Sequence, residues 1–350
     1  MPVALDLEGG GQLAEVRIAY QAWGTLNATR SNAILVLHAL TGDSHVTGPT
    51  GPDQPTPGWW EGLVGPGLAL DTNEFYVVAP NVLGGCRGST GPSSPAADGR
   101  PWGSRFPRIT VRDQVTAEAL FSDVLGIQRW AAVLGGSMGG MRAVEWVVGQ
   151  PDRVARALIL ACPAASSAEQ IGWASPQLHA IRADPNWHGG DYYGTGTAPT
   201  AGLGIARRIA HVTYRAEAEL ESRFGRQPQG DENPLDGGRF AIESYLDHHA
   251  DKLIHRFDAG SYVVLTEAMN THDVGRDRGG VAAALARVTA RTVVAGVDSD
   301  RLYPLYQQVE MAEGIPTSEE ARVIHSPFGH DAFLIETEQI ATLIKEMLSR

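Results

Sequence analysis

Cysteine is scarce in this 350-residue chain: only Cys86 and Cys162 are present. Two thiols permit one bridge at most and no disulfide framework, which fits a reducing, cytoplasmic setting. Zinc-site signatures are missing as well. There is no C-x-x-C and no H-E-x-x-H among eleven histidines, and His248 and His249 are adjacent, so they cannot share one helix face. No metal is expected. No apolar run approaches the ~18 residues that a membrane helix needs. Met1–Leu7 carries Asp6 and lacks a basic stretch followed by an apolar one, so no secretory leader is expected there. Positive charge is in deficit: 28 Lys and Arg stand against 40 Asp and Glu, a formal charge of −12. That balance excludes a general nucleic-acid binder and an electrostatic membrane anchor. It does not exclude a locally positive pocket for a small anion. No G-x-G-x-x-G opens a helix after the first strand, so a dinucleotide fingerprint is absent. The Gly-rich stretch Asp184–Thr200 has no phosphate-loop lysine and reads as loop.

What is present is an ordinary globular composition, 43% apolar and 19% charged, long enough to bury a sizeable core. Val16–Trp23, Ala33–Leu37, Phe75–Ala79, Trp130–Leu134 and Ala157–Ala161 read as strands. Several are continuous apolar runs of the kind buried on both faces. Val111–Leu125 has helical spacing, with Val115, Leu120 and Val124 on one side, and Met138–Val148 is a helix stopped by Gly149 and Pro151. Alternation of this kind implies βαβ units and a parallel sheet. From about Ser166 the periodicity becomes helical, over Ala201–Tyr214, Ala216–Phe224, Gly238–Phe257 and Ser261–Met269. The βα rhythm returns with strands Arg291–Val297 and Ala321–His325 and helices Tyr303–Glu313 and Asp331–Met347. The expected architecture is an α/β domain, 1–165 and 290–350, with a helical domain, 166–289, inserted as a lid.

The string Leu134-Gly135-Gly136-Ser137-Met138-Gly139-Gly140 holds G-x-S-x-G between a strand and a helix. That context is the nucleophile elbow, a turn so sharp that glycines must flank the serine. The alternative is a Gly-rich turn with an idle serine. A nucleophilic serine needs a base and an orienting acid, which follow in the order acid, then His. Asp298 and Asp300 both follow the strand ending at Val297, and the loser of the two is expected to cap the next helix. His330 follows the last strand, while His325 ends that strand and reads as a packed core residue. The oxyanion hole needs the N–H of Met138 and one from the loop after an early strand. His38-Ala39-Leu40-Thr41-Gly42 occupies that place, with Leu40 as the donor and His38 as a possible brace. Cys86 reads as a small buried residue rather than a nucleophile.

Beyond the elbow, the strings His38–Val46, Asn81–Ser94, Leu134–Trp146, Gly202–Arg215 and Gly329–Leu334 resemble the homoserine O-acetyltransferases of the α/β-hydrolase superfamily, enzymes of methionine biosynthesis. The second and fourth strings are the specific ones, because generic esterases lack them. The resemblance implies an α/β-hydrolase fold with a helical lid and a ping-pong transfer. Acetyl-CoA would acylate Ser137, and the hydroxyl of L-homoserine, activated by His330, would take the acetyl group. The matching string Asp298–Pro304 favours Asp300 as the acid. The resemblance also assigns Arg207 to the substrate carboxylate, Asp331 to the substrate, no bound cofactor, and a homodimer through the lid. An Arg fork suits a carboxylate and an Asp suits an ammonium. Asp331 could instead cap the final helix, and of the adjacent Arg207 and Arg208 one must face solvent. Open alternatives are a succinyl donor, for which Arg87 is a candidate cation, a serine acceptor, a serine esterase or thioesterase, and an inactive relic.

Overall fold

The computed structural model describes residues 4–52 and 54–349. Met1–Val3, the start of the stretch read as lacking a leader, lie outside the described residues. A short ribbon of β1 (Leu5–Asp6) and β2 (Gln12–Leu13) leads into β3 (Tyr20–Trp23) and β4 (Ala33–Leu37). A second ribbon, β5 (Val64–Gly65) with β6 (Leu70–Asp71), comes before β7 (Tyr76–Pro80). Next come α1 (Val111–Leu125), β8 (Ala132–Gly136), α2 (Met138–Gly149) and β9 (Arg156–Leu160). Helices α3 (Ala168–Ala183), α4 (Thr200–Tyr214), α5 (Glu217–Phe224), α6 (Ala241–Ile254), α7 (Ala259–Asn270) and α8 (Val281–Leu285) follow. The chain closes with β10 (Arg291–Val297), α9 (Leu305–Gly314), β11 (Arg322–Ile324), α10 (Ala332–Ile335) and α11 (Thr337–Leu348).

Seven strands form one sheet in the order β11-β10-β9-β8-β4-β7-β3. Every pairing is parallel except β3 with β7. Burial on both faces explains the continuous apolar runs. Along β4, Leu35 and Leu37 join Val115 of α1 and Val144 of α2 in one core. Ile34 and Val36 point the other way, into a core with Ile340 and Ile344 of α11. Strand order reverses at β4, and the loops after β4, β8, β10 and β11 meet at the carboxyl ends of the strands. In open α/β sheets that is where ligands bind.

Helices α3 to α7 form the lid, with α3 packed on α4 and α7, and α4 on α6. The lid's core, including Leu178, Leu203, Leu253 and Tyr262, also contains Leu40 and Met138 of the sheet domain. The lid therefore rests on the two residues expected to form the oxyanion hole. The inserted block is shorter than the expected 166–289, because Val274, Ala284, Leu285 and Val288 pack into the sheet domain's core.

Other departures from expectation have local causes. Helix α3 starts on a capping box between Ser167 and Gln170, but it contains Pro176, which masks it in the sequence. On α1, Val124 is 67% exposed, so the buried stripe runs through Val111, Val115 and Phe121 instead. The strand expected over Val16–Trp23 begins only at Tyr20, because Arg17 and Ala19 donate their backbone N–H groups to Thr90 Oγ1 and Ser89 Oγ. The expected closing helix, Asp331–Met347, is broken at Glu336, whose ψ of 61 is not helical.

Candidate active site

Ser137 sits between β8 and α2 with φ 59 and ψ −125. A side chain in that region is strained by roughly 1–3 kcal/mol and persists only where its surroundings impose it. They do so here through close backbone approach. A Cβ on Gly139 would overlap the carbonyl of Leu37, and one on Gly135 would lie 2.6 Å from the backbone of Gly139. Ser137 N–H donates to Leu160 O at 3.0 Å, which ties the turn to β9.

The turn presents Ser137 Oγ to His330 Nε2 at 2.9 Å, and His330 Nδ1 meets Asp300 Oδ2 at 2.7 Å. A carboxylate can only accept, so the proton lies on Nδ1 and the Nε2 lone pair accepts the serine hydroxyl. Asp300 Oδ1 takes the N–H groups of Leu302 (2.8 Å) and Tyr303 (2.9 Å), which fixes the carboxylate plane. All three side chains are screened from solvent: Ser137 is 7%, Asp300 5% and His330 3% exposed. Asp298 does not cap a helix as expected. It pairs with His325 Nδ1 at 2.8 Å and accepts from Ser326 N–H. The reading of His325 as a core residue is wrong, since its side chain is 77% exposed at the end of a short edge strand.

Met138 N–H, at the first position of α2, has no intrahelical acceptor. Leu40 is buried and lines both cavities that reach Ser137. The loop that carries it is held by His38, whose Nε2 accepts Val82 N–H at 3.0 Å, leaving Nδ1–H to donate to Ala39 O at 2.8 Å. Burial, helped by the charge of Arg142, lowers the pKa of His38 to about 3, so the ring is neutral.

A cavity of about 280 Å³ opens from the Ser137–His330 pair toward the lid. Arg207 and Tyr214 of α4, His249 and Lys252 of α6, Arg256 and Asp331 line it. Arg208 turns outward to pair with Asp247, at 2.6 Å. Arg207 Nε is buried without a hydrogen-bond partner, and the guanidinium lies over the Tyr214 ring at 5.5 Å. Asp331 stands at the N-cap of α10, but its side chain makes no capping hydrogen bond. It lies 3.6 Å from Arg215, and burial raises its carboxyl pKa against the pull of Arg207, His330 and Arg215. Arg215, Lys252 and Arg256 were not singled out in the sequence. Arg215 stood within the Gly202–Arg215 string, whereas Lys252 and Arg256 carried no local signal. Arg87 donates to Arg256 O at 2.6 Å and lines neither cavity. A second cavity of about 50 Å³ lies on the other side of Ser137, lined by Gln170, Thr213, Thr266 and Tyr303 among others, with no charged side chain. Cys86 and Cys162 are both free. Among the described residues, no group of three His, Cys, Asp or Glu could hold a metal ion, and no helix is long and apolar enough to cross a membrane.

Residues 32–337 match the model of a family described as alpha/beta hydrolase fold. A homoserine O-acetyltransferase of Thermobifida fusca is 70% identical over 99% of this chain and 92% of its own length. That of Mycobacterium tuberculosis is 58% identical over 99% of this chain and 91% of its own length. The crystal structure of homoserine O-acetyltransferase from Bacillus anthracis superposes with a TM-score of 0.89 at 28% identity, covering 99% and 95% of the two chains. Esterase E22 superposes equally well, also at 28% identity, over 100% and 98% of the two chains. With matches of that identity running through sheet and lid alike, the chain belongs to the homoserine O-acetyltransferase family of the alpha/beta hydrolase fold.

Proposed function

We propose that this protein transfers the acetyl group of acetyl-CoA to the side-chain hydroxyl of L-homoserine through an acetyl-serine. His330 takes the proton of Ser137 as Oγ attacks the thioester carbonyl. The N–H groups of Leu40 and Met138 receive the developing oxyanion. Collapse expels CoA, which leaves with the proton held on His330. The homoserine hydroxyl then takes the place of CoA, gives its proton to His330 and attacks the acetyl-serine; collapse breaks the bond from the acyl carbon to Ser137 Oγ, which takes the proton back from His330 as the acetylated homoserine leaves. Asp300 holds the ring in the right tautomer and stabilises the imidazolium in both halves. No cofactor enters the scheme.

The observation that carries this reading is Arg207, whose charge lines the same cavity as Ser137, His330 and Asp331 and whose Nε has no hydrogen-bond partner. A guanidinium that lines the cavity beside the nucleophile suits an anion, and a planar fork suits a carboxylate. Asp331 suits the α-ammonium. Lys252 and Arg256 line the same cavity and suit the phosphates of CoA. The small uncharged cavity suits an acetyl methyl and disfavours a succinyl carboxylate. A homodimer through the lid and a cytoplasmic location belong to the same proposal.

The close superposition with an esterase favours a second reading, hydrolysis of the acyl-enzyme by water. One experiment separates the two: CoA release from acetyl-CoA and from succinyl-CoA, each with and without L-homoserine. Transfer predicts release that depends on homoserine and is faster with acetyl-CoA. Equal release without homoserine makes the protein a hydrolase. Faster release with succinyl-CoA overturns the donor.

A further inference from the structure

Beneath the oxyanion loop lies a polar cluster with no place in the chemistry above. Arg142 of α2 is fully buried, one turn past the nucleophile. Its Nη1 donates to Glu118 Oε1 of α1 at 2.6 Å, and its Nη2 donates to the carbonyl of His38 at 2.7 Å. Trp146 Nε1 donates to the other oxygen of Glu118 at 2.8 Å. Glu118 is 1% exposed, so the ion pair is held out of water in the protein interior, with Arg142 Nε left without an acceptor. Such a pair costs several kcal/mol per ion to desolvate and adds little stability over an apolar pair of similar volume. Its placement is specific. The second arm of the guanidinium ends on the first carbonyl of His38–Gly42, two residues before Leu40.

The same loop is held at three further points. His38 Nε2 accepts the N–H of Val82, beyond the end of β7. Gly42 N–H donates to Ala39 O at 2.9 Å, closing a tight turn around Leu40. From the lid, Arg256 Nη1 donates to Thr41 O at 2.7 Å. Two guanidinium groups, one from the floor and one from the roof, therefore hold carbonyls on either side of Leu40. Carbonyls turned toward arginines leave the intervening N–H free to turn toward Ser137.

We infer that Arg142, oriented by Glu118 and Trp146, is a positioning residue that preorganises the oxyanion hole by fixing the His38 carbonyl and with it the direction of Leu40 N–H. This rests on the acyl-serine reading above. Arg142 touches neither substrate. It acts through the loop, so its contribution is confined to states with charge on the acyl oxygen. Binding of homoserine, whose contacts lie with Arg207 on the lid and Asp331 beside His330, is untouched.

The test uses two variants, the double substitution Arg142→Met with Glu118→Gln, and Arg142→Lys. The double variant removes both charges together and keeps an acceptor for Trp146. In Arg142→Lys the single ammonium stays with Glu118 and leaves the His38 carbonyl. Three quantities are read: kcat and KM for homoserine, p-nitrophenol release from p-nitrophenyl acetate, and the inhibition constant of methylboronic acid, whose tetrahedral adduct places an oxygen in the hole. Removing one oxyanion donor outright costs about 10²–10³-fold, so loosening one is expected to lower kcat and ester cleavage about 10–100-fold in the double variant. Boronate affinity is expected to fall by a similar factor, with KM for homoserine within twofold and the melting temperature nearly kept. Arg142→Lys is expected to show the same joint fall, several-fold in size. Wild-type kcat and boronate affinity in either folded variant would overturn the inference. So would a loss confined to KM for homoserine or to melting temperature. If the double variant does not fold, Arg142→Lys decides alone. If wild-type protein fails to acylate homoserine yet cleaves the ester, the transferase reading falls and the ester and boronate arms still judge Arg142.

Discussion

The floor and the roof of the active site treat their arginines in opposite ways. In the floor, Arg142 is as buried as any apolar core residue and spends both terminal nitrogens on protein acceptors. In the roof, Arg207 lines the cavity that holds Ser137, with its guanidinium lying over the Tyr214 ring. A charge paired with a buried carboxylate and a loop carbonyl holds a shape, although Arg142 Nε itself has no acceptor. A charge that lines the cavity beside a nucleophile holds a place for something that arrives with the opposite sign. The seam between the two runs through Ser137 and His330, where the turn is strained and the hydrogen bonds are complete.

The most drastic way to break this comparison is to remove the seam. Ser137→Ala is expected to abolish transfer, by about 10⁴-fold or more, since no atom remains to be acylated. Stopped assays of CoA release would check it, and residual turnover near the wild-type rate would end the acyl-serine mechanism. Next in size is the roof alone. Arg207→Met is expected to lower kcat/KM for homoserine about 10²–10³-fold, because the substrate carboxylate loses a buried charge partner. Cleavage of p-nitrophenyl acetate, which has no carboxylate, is expected to stay within about threefold. An equal loss on both substrates would show Arg207 to be part of the general scaffold.

Acid tests the buried histidines of floor and lid together, since burial lowers the pKa of His211 and His249 as well. The pKa of His38 is lowered to about 3 and that of His272 to about 4, both chiefly by burial. Between those values and the ordinary 6.5 the unfolded chain binds protons that the folded chain refuses. Stability is therefore expected to be unaffected by these two above pH 6.5 and to fall below it, by about 1.4 kcal/mol per pH unit for each fully developed difference. Urea unfolding midpoints from pH 7.5 to 4.5 would show the slope, and a flat profile would mean that His38 is not held neutral. The smallest effect is expected from Asp298→Asn. Its partner His325 is exposed and Asp298 makes no contact with His330, so kcat should stay within about twofold. A loss as large as that expected from Asp300→Asn would reopen the choice between the two acids.

The elbow was legible because its physics is local: a strand, a residue forced to positive φ, and glycines where two backbones touch. The order of acid and histidine was legible because strand ends are legible. His325 misled because a histidine at the end of an apolar run looks buried, and only the position of β11 at the edge of the sheet exposes it. Helix α3 was hidden by Pro176, whose cost is offset by packing on α4 and α7.

The sequence by itself determined the alternation of apolar runs and helices, the strained serine turn and the chain order of its partners, because each depends on neighbours within a few residues. Residue patterns left open which aspartate meets His330 and which of two adjacent arginines lines the cavity of Ser137; the family resemblance favoured Asp300 and Arg207, and the tertiary structure places both there. It also decided that Glu118, Trp146 and Arg142 converge on the carbonyl of His38. Those choices turn on angles and distances between elements far apart in the chain, and no local pattern encodes the direction in which a guanidinium points.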